Sequence, residues 1–238
     1  MHLASRNSKR NKQDSKPFRI LEGDALNKLD ELSPESVNTV FTSPEPPYNY
    51  QEMNELIQIM LNVPRVVRDI GSIWVHLADY HNTDGNMVLI PERFVTELVI
   101  EHGWKLRSKL IWHRPPLDED HKLEDNTRFR RDWEYLYWFV RNNPGYYFNR
   151  EAAGINLETS VLTYEYIPPK PDKFESGFPY DIIQIALEAT CPPNGTVLDC
   201  FCGTGTTGVV ALGMGMDFIG IEANPMLIPM IEKRLANV

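Results

Sequence analysis

The sequence predicts an α/β fold: a mostly parallel sheet with helices packed on both faces. Three observations carry that reading. Strand-like and helix-like segments alternate almost from end to end, the pattern of a sheet covered on both sides. One segment, TVLDCFCGTGTTGVVALGMG, joins an apolar strand to a helix through a glycine-rich turn, the kind of join where such sheets bind ligands. The length of 238 residues suits one sizeable domain with a full core better than two independent ones.

Taken in order, FRILEGD (18–24) reads as the first strand, followed by a turn and a short helix, ALNKLDEL. VNTVF (37–41) is a second strand. MNELIQIMLNVPRVVRDIG has helical apolar spacing, interrupted at Pro64, and is expected to close at Gly71. SIWVHLADY is a third strand ending on Asp79, an acid placed either beside an active edge or as the cap of the next turn. PERFVTELVIEHG opens with proline and closes with glycine, the expected asymmetry of a helix. KLRSKLIWHRP and DWEYLYWFVRN are β-branched and aromatic, hence strands, and they flank the acidic LDEDHKLED, expected to be a solvated loop. From 144 to 177 periodicity fades into Gly, Pro, Tyr and Asn. Order returns with the helix YDIIQIALEA, the strand–turn–helix already quoted, the strand DFIGIEA and a last helix through PMLIPMIEKRL.

Hydrophobic content of 42% and charged content of 24% are ordinary for a soluble protein, and no apolar stretch approaches the length of a membrane span. A cytoplasmic protein is expected, of bacterial, archaeal or viral type. Residues 1–17 read as a flexible basic arm without the apolar core of a secretory signal, leaving 18–238 as the folded domain. The three cysteines, Cys191, Cys200 and Cys202, are too few for a disulfide framework, and no second Cys or His pair lies near them, so reduced thiols and no metal site are expected. The formal net charge of -9 governs solubility and long-range attraction but does not exclude a local groove for nucleic acid.

The chemistry concentrates in two places. After the strand VLD, Gly203 and Gly205 let backbone approach a ligand beside a helix N-terminus. About twenty residues on, Glu222 ends the next strand, where a carboxylate can accept hydrogen bonds from both hydroxyls of a ribose. The turn lacks the third glycine of a dinucleotide fingerprint and the lysine of a phosphate-binding loop. A ligand with ribose and no phosphate fits, although glycines at such a turn also serve plain packing. The second place is TSPEPPYNY, residues 42–50, a proline-stiffened elbow directly after an apolar strand.

Together these stretches carry a resemblance. VLDCFCGTGTT with FIGIEANP resembles the S-adenosylmethionine-binding motif of the amino-group DNA methyltransferases, usually Asp-Pro-Phe-x-Gly-Ser-Gly-Thr-Thr, with Cys200 in place of proline. TSPEPPYNY resembles their catalytic motif, usually Thr-Ser-Pro-Pro-Tyr, with two extra residues. ILEGDA, IWVHLADY, KLIWHRP with WEYLYWF, and FPYDIIQIAL also have counterparts in that family. The catalytic motif precedes the cofactor motif, similar to the beta-type permutation.

The resemblance implies a Rossmann-like sheet in circularly permuted order, mostly parallel with an antiparallel edge hairpin, and a target-recognition insertion around 116–177. It implies S-adenosyl-L-methionine as cofactor and double-stranded DNA as substrate, with a restriction endonuclease or a second copy of the chain as possible partners and no membrane. Catalytic positions would be Ser43, Pro44, Glu45, Pro46, Pro47 and Tyr48, aligned either on Ser43-Pro44 or on Glu45-Pro46-Pro47-Tyr48. Prolines with fixed φ would hold a carbonyl against the base amino group, and Tyr48 would stack on a base rotated out of the duplex. Cofactor positions would be Asp24 and Ala25, Phe178, Asp199, Phe201, Gly203, Thr204, Gly205, Thr206 and Glu222. Asp24 equally reads as a helix cap and Phe178 as a core ring. Trp112 and His113 would lie near the target base, and Arg128, Arg130 and Arg131 would meet phosphates. Serine in the motif resembles the cytosine-N4 enzymes, whereas aspartate or asparagine is commoner for adenine N6. Cytosine N4 is therefore the expected target, adenine N6 the alternative, and a non-catalytic DNA- or partner-binding relative the third reading, should the inserted Glu-Pro spoil the elbow.

Overall fold

The computed structural model describes residues 17–115, 129, 132–141, 144–154, 158–165 and 178–238. The basic arm up to residue 16, the acidic stretch 117–125 and Arg128, Arg130 and Arg131 lie outside the described residues.

Among the described residues, eight strands form one sheet in the order β1-β8-β7-β2-β3-β5-β4-β6. These are β1 (Phe18–Glu22), β2 (Val37–Thr42), β3 (Val67–Leu77), β4 (Lys105–His113), β5 (Trp133–Val140), β6 (Val161–Thr163), β7 (Thr196–Asp199) and β8 (Asp217–Glu222). The helices are α1 (Ala25–Asp30), α2 (Tyr50–Val66), α3 (Ile90–Thr96), α4 (Arg150–Ala153), α5 (Tyr180–Thr190), α6 (Thr206–Gly213) and α7 (Ile228–Leu235). A π-helical turn, Glu97–Glu101, extends α3.

From β1 to β3 every pairing is parallel, and only β5 runs against its neighbours β3 and β4. The near-continuous apolar run of β2, buried from Thr39 to Thr42, is what a central parallel strand covered on both faces requires. Buried residues of α1, α2 and α3 join one core with one side of the sheet. Those of α5, α6 and α7 join a second core on the other side.

Two expectations are corrected. The second helix stops at Val66, with Pro64 inside it, and Val67 already begins β3. Gly71 is therefore not a helix end: the β2–β3 register shifts beside it, between Val37 and Thr39. A Cβ at Gly71 would lie 2.5 Å from Val67 Cγ1 and 2.6 Å from the Asn38 carbonyl oxygen, so glycine lets the two strands pass. The β4–β5 hairpin, in turn, is not the outermost element, because β6 pairs parallel with β4 beyond it. Three residues within an irregular stretch give no alternation long enough to read.

Candidate active site

β2 and β7 are adjacent and parallel at the middle of the sheet, and the chain leaves them for opposite faces, through α2 after β2 and α6 after β7. A crevice at the carboxyl ends of two such strands is where open α/β sheets bind ligands. Here it is a cavity of about 760 Å³, within the usual range of cofactor and small-molecule sites. The two motifs that border it are joined directly: Thr42 Oγ1, at the end of β2, donates to Asp199 Oδ1, at the end of β7, at 2.7 Å.

On the β7 side, Gly203 and Gly205 have φ of 55° and 82°, left-handed values that favour glycine. The turn they make brings the Gly203 N–H to Glu222 Oε2 at 2.8 Å, while the Asn224 N–H reaches Glu222 Oε1 at 2.8 Å. Each carboxylate oxygen keeps a further lone pair for a ligand hydroxyl. From α7, Arg234 donates to the Thr204 carbonyl at 2.8 Å and also contacts Thr204 Oγ1, Thr206 Oγ1 and the Tyr180 hydroxyl.

Asp199 is buried and accepts from Thr42 and from the Phe201 N–H. Burial nonetheless lifts its carboxyl above the ordinary aspartate range, against the pull of the bonds from Thr42, Thr207 and Phe201. The Cys200 and Cys202 thiols are pushed well above theirs, first by burial and then by Asp199. Both are therefore neutral thiols packed beside the turn. Among the described residues no cluster of His, Cys, Asp or Glu is arranged to hold a metal.

On the β2 side, the elbow from Ser43 to Tyr48 lines the same cavity. Its shape is held from three directions. Glu52 accepts from the Tyr48 N–H at 2.7 Å while the Asn49 side chain caps the Glu52 N–H at 2.9 Å, a capping arrangement that fixes where α2 begins. The Tyr80 hydroxyl donates to the Pro47 carbonyl at 3.1 Å, and burial raises its pKa, which keeps it a donor. Ser43 Oγ lies 2.8 Å from His76 Nδ1, and His76 Nε2 lies 2.7 Å from Glu134 Oε2. Arg114 pairs with the other oxygen of Glu134 at 3.0 Å. Glu45 is exposed, lines the cavity, and has no hydrogen-bond partner among the described residues. Tyr48 stands 73% exposed, its ring tilted against that of Tyr80 with 5.4 Å between centroids.

Of the sequence-derived positions, Asp24, Ala25, Phe178, Asp199, Phe201, Gly203, Thr204, Thr206 and Glu222 line this cavity together with the elbow. Gly205 stands behind it as the N-cap of α6. Asp24 also caps α1, accepting from the Asn27 N–H at 3.1 Å. Asp79 is a cap rather than an active-edge acid: it accepts from the Tyr80, Leu89 and Ile90 N–H groups. Trp112, expected near the target base, is buried behind the cavity wall. Its ring is only 2% exposed and packs on Phe178, with the indole N–H bonded to the Tyr164 carbonyl. His113 is tied to Thr163 and Asp132, away from the cavity. His76, Glu134, Arg114, Glu52, Tyr80 and Arg234 are the site residues that motif reading passed over.

Comparison with known proteins places this geometry. A DNA methylase family model matches residues 37–233. The Type II methyltransferase M.Cfr9I of Citrobacter freundii is 27% identical, over 91% of this chain and 87% of its own. The DNA adenine methyltransferase YhdJ of Escherichia coli is 24% identical, over 91% of this chain and 82% of its own. Among solved structures, the cytosine-N4-specific PvuII DNA methyltransferase superposes with a TM-score of 0.78 at 19% identity, covering 91% of this chain and 86% of that one. Thermus thermophilus TTHA0409 complexed with S-adenosyl-L-methionine gives 0.71 at 22%, covering 92% and 93%.

Proposed function

The chain belongs to the N6/N4 DNA methylase family, and on that premise we propose that it transfers a methyl group from S-adenosyl-L-methionine to the exocyclic amino group of a base flipped out of duplex DNA, with cytosine N4 as the target. The observation that carries the reading is the Thr42–Asp199 hydrogen bond. It draws the proline elbow and the glycine turn onto one cavity, so a donor on the turn and a base at the elbow can meet.

The residues fit the donor. Glu222 and the left-handed turn at Gly203 suit a ribose, Phe178 and Ala25 offer apolar surface, and Asp24 adds a carboxylate acceptor. Bound there, the donor supplies an electrophilic methyl carbon on a sulfonium. The rest of the work falls to the chain. An aromatic amino nitrogen is a poor nucleophile because its lone pair is delocalised into the ring. Acceptors placed beside its N–H groups favour a more tetrahedral nitrogen, a gain that comes from positioning and fixed dipoles. Ser43 Oγ and the carbonyls of Pro44 and Pro46 are the candidate acceptors, whereas the Pro47 carbonyl already accepts from Tyr80. Tyr48, exposed at the rim, would stack on the base.

Ser43, directly after β2 and lining the cavity, supports cytosine N4. Adenine N6 is the second reading, favoured by the unpaired Glu45 carboxylate lining the same space and by the adenine enzyme among the relatives. A restriction endonuclease acting on the same DNA site is the partner that the Type II relative suggests. The test is transfer of labelled methyl from S-adenosyl-L-methionine to unmethylated duplex DNA, followed by chromatography of the hydrolysed nucleosides. N4-methylcytosine is expected. N6-methyladenine would move the assignment to the second reading, and a chain that binds the donor but labels no DNA would refute methyl transfer altogether.

A further inference from the structure

We propose that His76 is the terminal proton acceptor of the reaction, working through Ser43 and held in the required tautomer by Glu134 and Arg114. This rests on the methyl-transfer reading above. The four groups come from four parts of the chain: Ser43 from the elbow after β2, His76 from β3, Glu134 from β5 and Arg114 just after β4. They form one line of contacts, at 2.8, 2.7 and 3.0 Å. His76 and Glu134 are each 7% exposed, while Ser43 opens onto the cavity. Rings of Phe178 and Trp112 pack on the imidazole at centroid distances of 4.8 and 5.7 Å. Buried polar groups are kept where they are hydrogen-bonded throughout, and this line ends at the cavity.

The direction of each bond follows from the donors available. A carboxylate paired with Arg114 accepts and cannot donate, so the proton between Glu134 and His76 sits on Nε2. With the imidazole neutral, as the relay requires, Nδ1 is unprotonated and the Ser43 hydroxyl donates to it. With its one hydrogen committed, Ser43 turns only lone pairs toward the cavity. It can accept from a base N–H group and cannot donate to the amino nitrogen, which leaves that lone pair free to attack.

The same line disposes of the surplus proton. As the amino nitrogen bonds to the methyl carbon, the C–S electron pair stays with sulfur. The nitrogen would otherwise carry a positive charge. One N–H bond pair returns to it, the proton passes to Ser43 Oγ, and the hydroxyl's own proton passes to His76 Nδ1. The imidazolium so formed lies against the Glu134 carboxylate. His76 touches no reacting atom and is a positioning residue; Ser43 makes the contact.

Two measurements test this. Nitrogen-15 NMR of the imidazole in the donor-free protein should show the Nε2–H tautomer; an Nδ1–H tautomer would overturn the proposal whatever the activity. In single-turnover methyl transfer to unmethylated amplified duplex DNA, His76→Gln keeps a hydrogen-bonding side chain but no proton acceptor. It should slow the chemical step by about 10²–10⁴-fold, with the affinity for S-adenosyl-L-methionine unchanged. Ser43→Ala should do the same, and the double variant should be no slower than the worse single one, because both lie on one path. A His76→Gln rate within a few-fold of wild type, or multiplicative losses in the double variant, would overturn the relay. Wild-type protein that methylates no DNA would instead sink the underlying functional reading, and the tautomer measurement would still judge the hydrogen-bond line.

Discussion

Replacing Tyr48 with alanine separates the two halves of the site. The residue is 73% exposed and its ring is tilted against that of Tyr80, so removing it should cost within about 0.5 kcal/mol of stability, as for other surface changes. It should not loosen the elbow, since the hydrogen bond to Glu52 comes from the Tyr48 backbone N–H and Tyr80 still holds the Pro47 carbonyl. What is lost is the platform for the base. Stacking of a base on an aromatic ring is worth about 1–3 kcal/mol, which corresponds to a fall of roughly 5- to 150-fold in kcat/KM for DNA. Phenylalanine at the same position should restore most of it, because the π-face does the work. Methyl transfer to duplex DNA measures one half, and calorimetric titration with S-adenosyl-L-methionine measures the other. Equal losses of donor affinity and transfer would mean that Tyr48 supports the cavity as a whole, and an unchanged kcat/KM would mean that no base stacks there.

Arg234→Met should weaken binding of S-adenosyl-L-methionine by about tenfold or more, the ~1.5 kcal/mol scale of a hydrogen bond from a charged donor, because it frees the Thr204 carbonyl held at 2.8 Å; calorimetry reads it, and unchanged affinity refutes it. Asp199 holds its proton to higher pH in the native state than in the unfolded chain, because burial raises its carboxyl. Its contribution to stability is thus fully present below the ordinary aspartate value and is lost as pH rises through the raised one. Asp199→Asn should flatten that decline in denaturant midpoints across the acid range, and an unaltered pH slope would show the carboxyl to be unperturbed. Gly71→Ala should destabilise by about 1–3 kcal/mol, since the new methyl meets Val67 and the Asn38 carbonyl within 2.6 Å; a wild-type midpoint in urea would show that the strands can part there.

What the sequence made legible was local. Glycines at 203 and 205, prolines at 44, 46 and 47, and runs such as VNTVF declare their backbone by residue type, so the glycine turn, the elbow and the parallel strands could be placed from neighbours alone. Pro64 and Gly71 misled for the same reason, because both are ordinary helix punctuation. Only contact with Asn38 on another strand gives Gly71 its actual place. His76 and Glu134 were silent because they are 58 residues apart and each stands singly inside an aromatic strand. Arg234 reaches Thr204 across 30 residues and reads in sequence as a basic residue near a helix end. A faint signal did exist for His76: a polar residue within IWVHLADY, on a strand whose last residues are otherwise apolar and buried, requires a buried partner.

The same distinction between local and summed properties resolves the charge of the chain. At -9 the molecule as a whole repels a duplex, and the cavity adds to this, with Asp24, Glu45, Glu52, Glu55, Asp199 and Glu222 in its lining and no lysine or arginine among the described lining residues. A phosphate has no place there. The methyl donor proposed for the site carries a net positive charge, however, and loses it with the methyl group. Even at a water-like dielectric, each carboxylate about 8 Å away favours the charged donor over its spent form by ~0.5 kcal/mol. An acidic lining therefore retains the loaded donor and loosens the product after transfer, while the neutral base can enter without that penalty. The acidity that argues against nucleic acid in the composition thus serves the donor pocket, and the phosphates must be met outside it, by parts of the chain beyond the cavity wall.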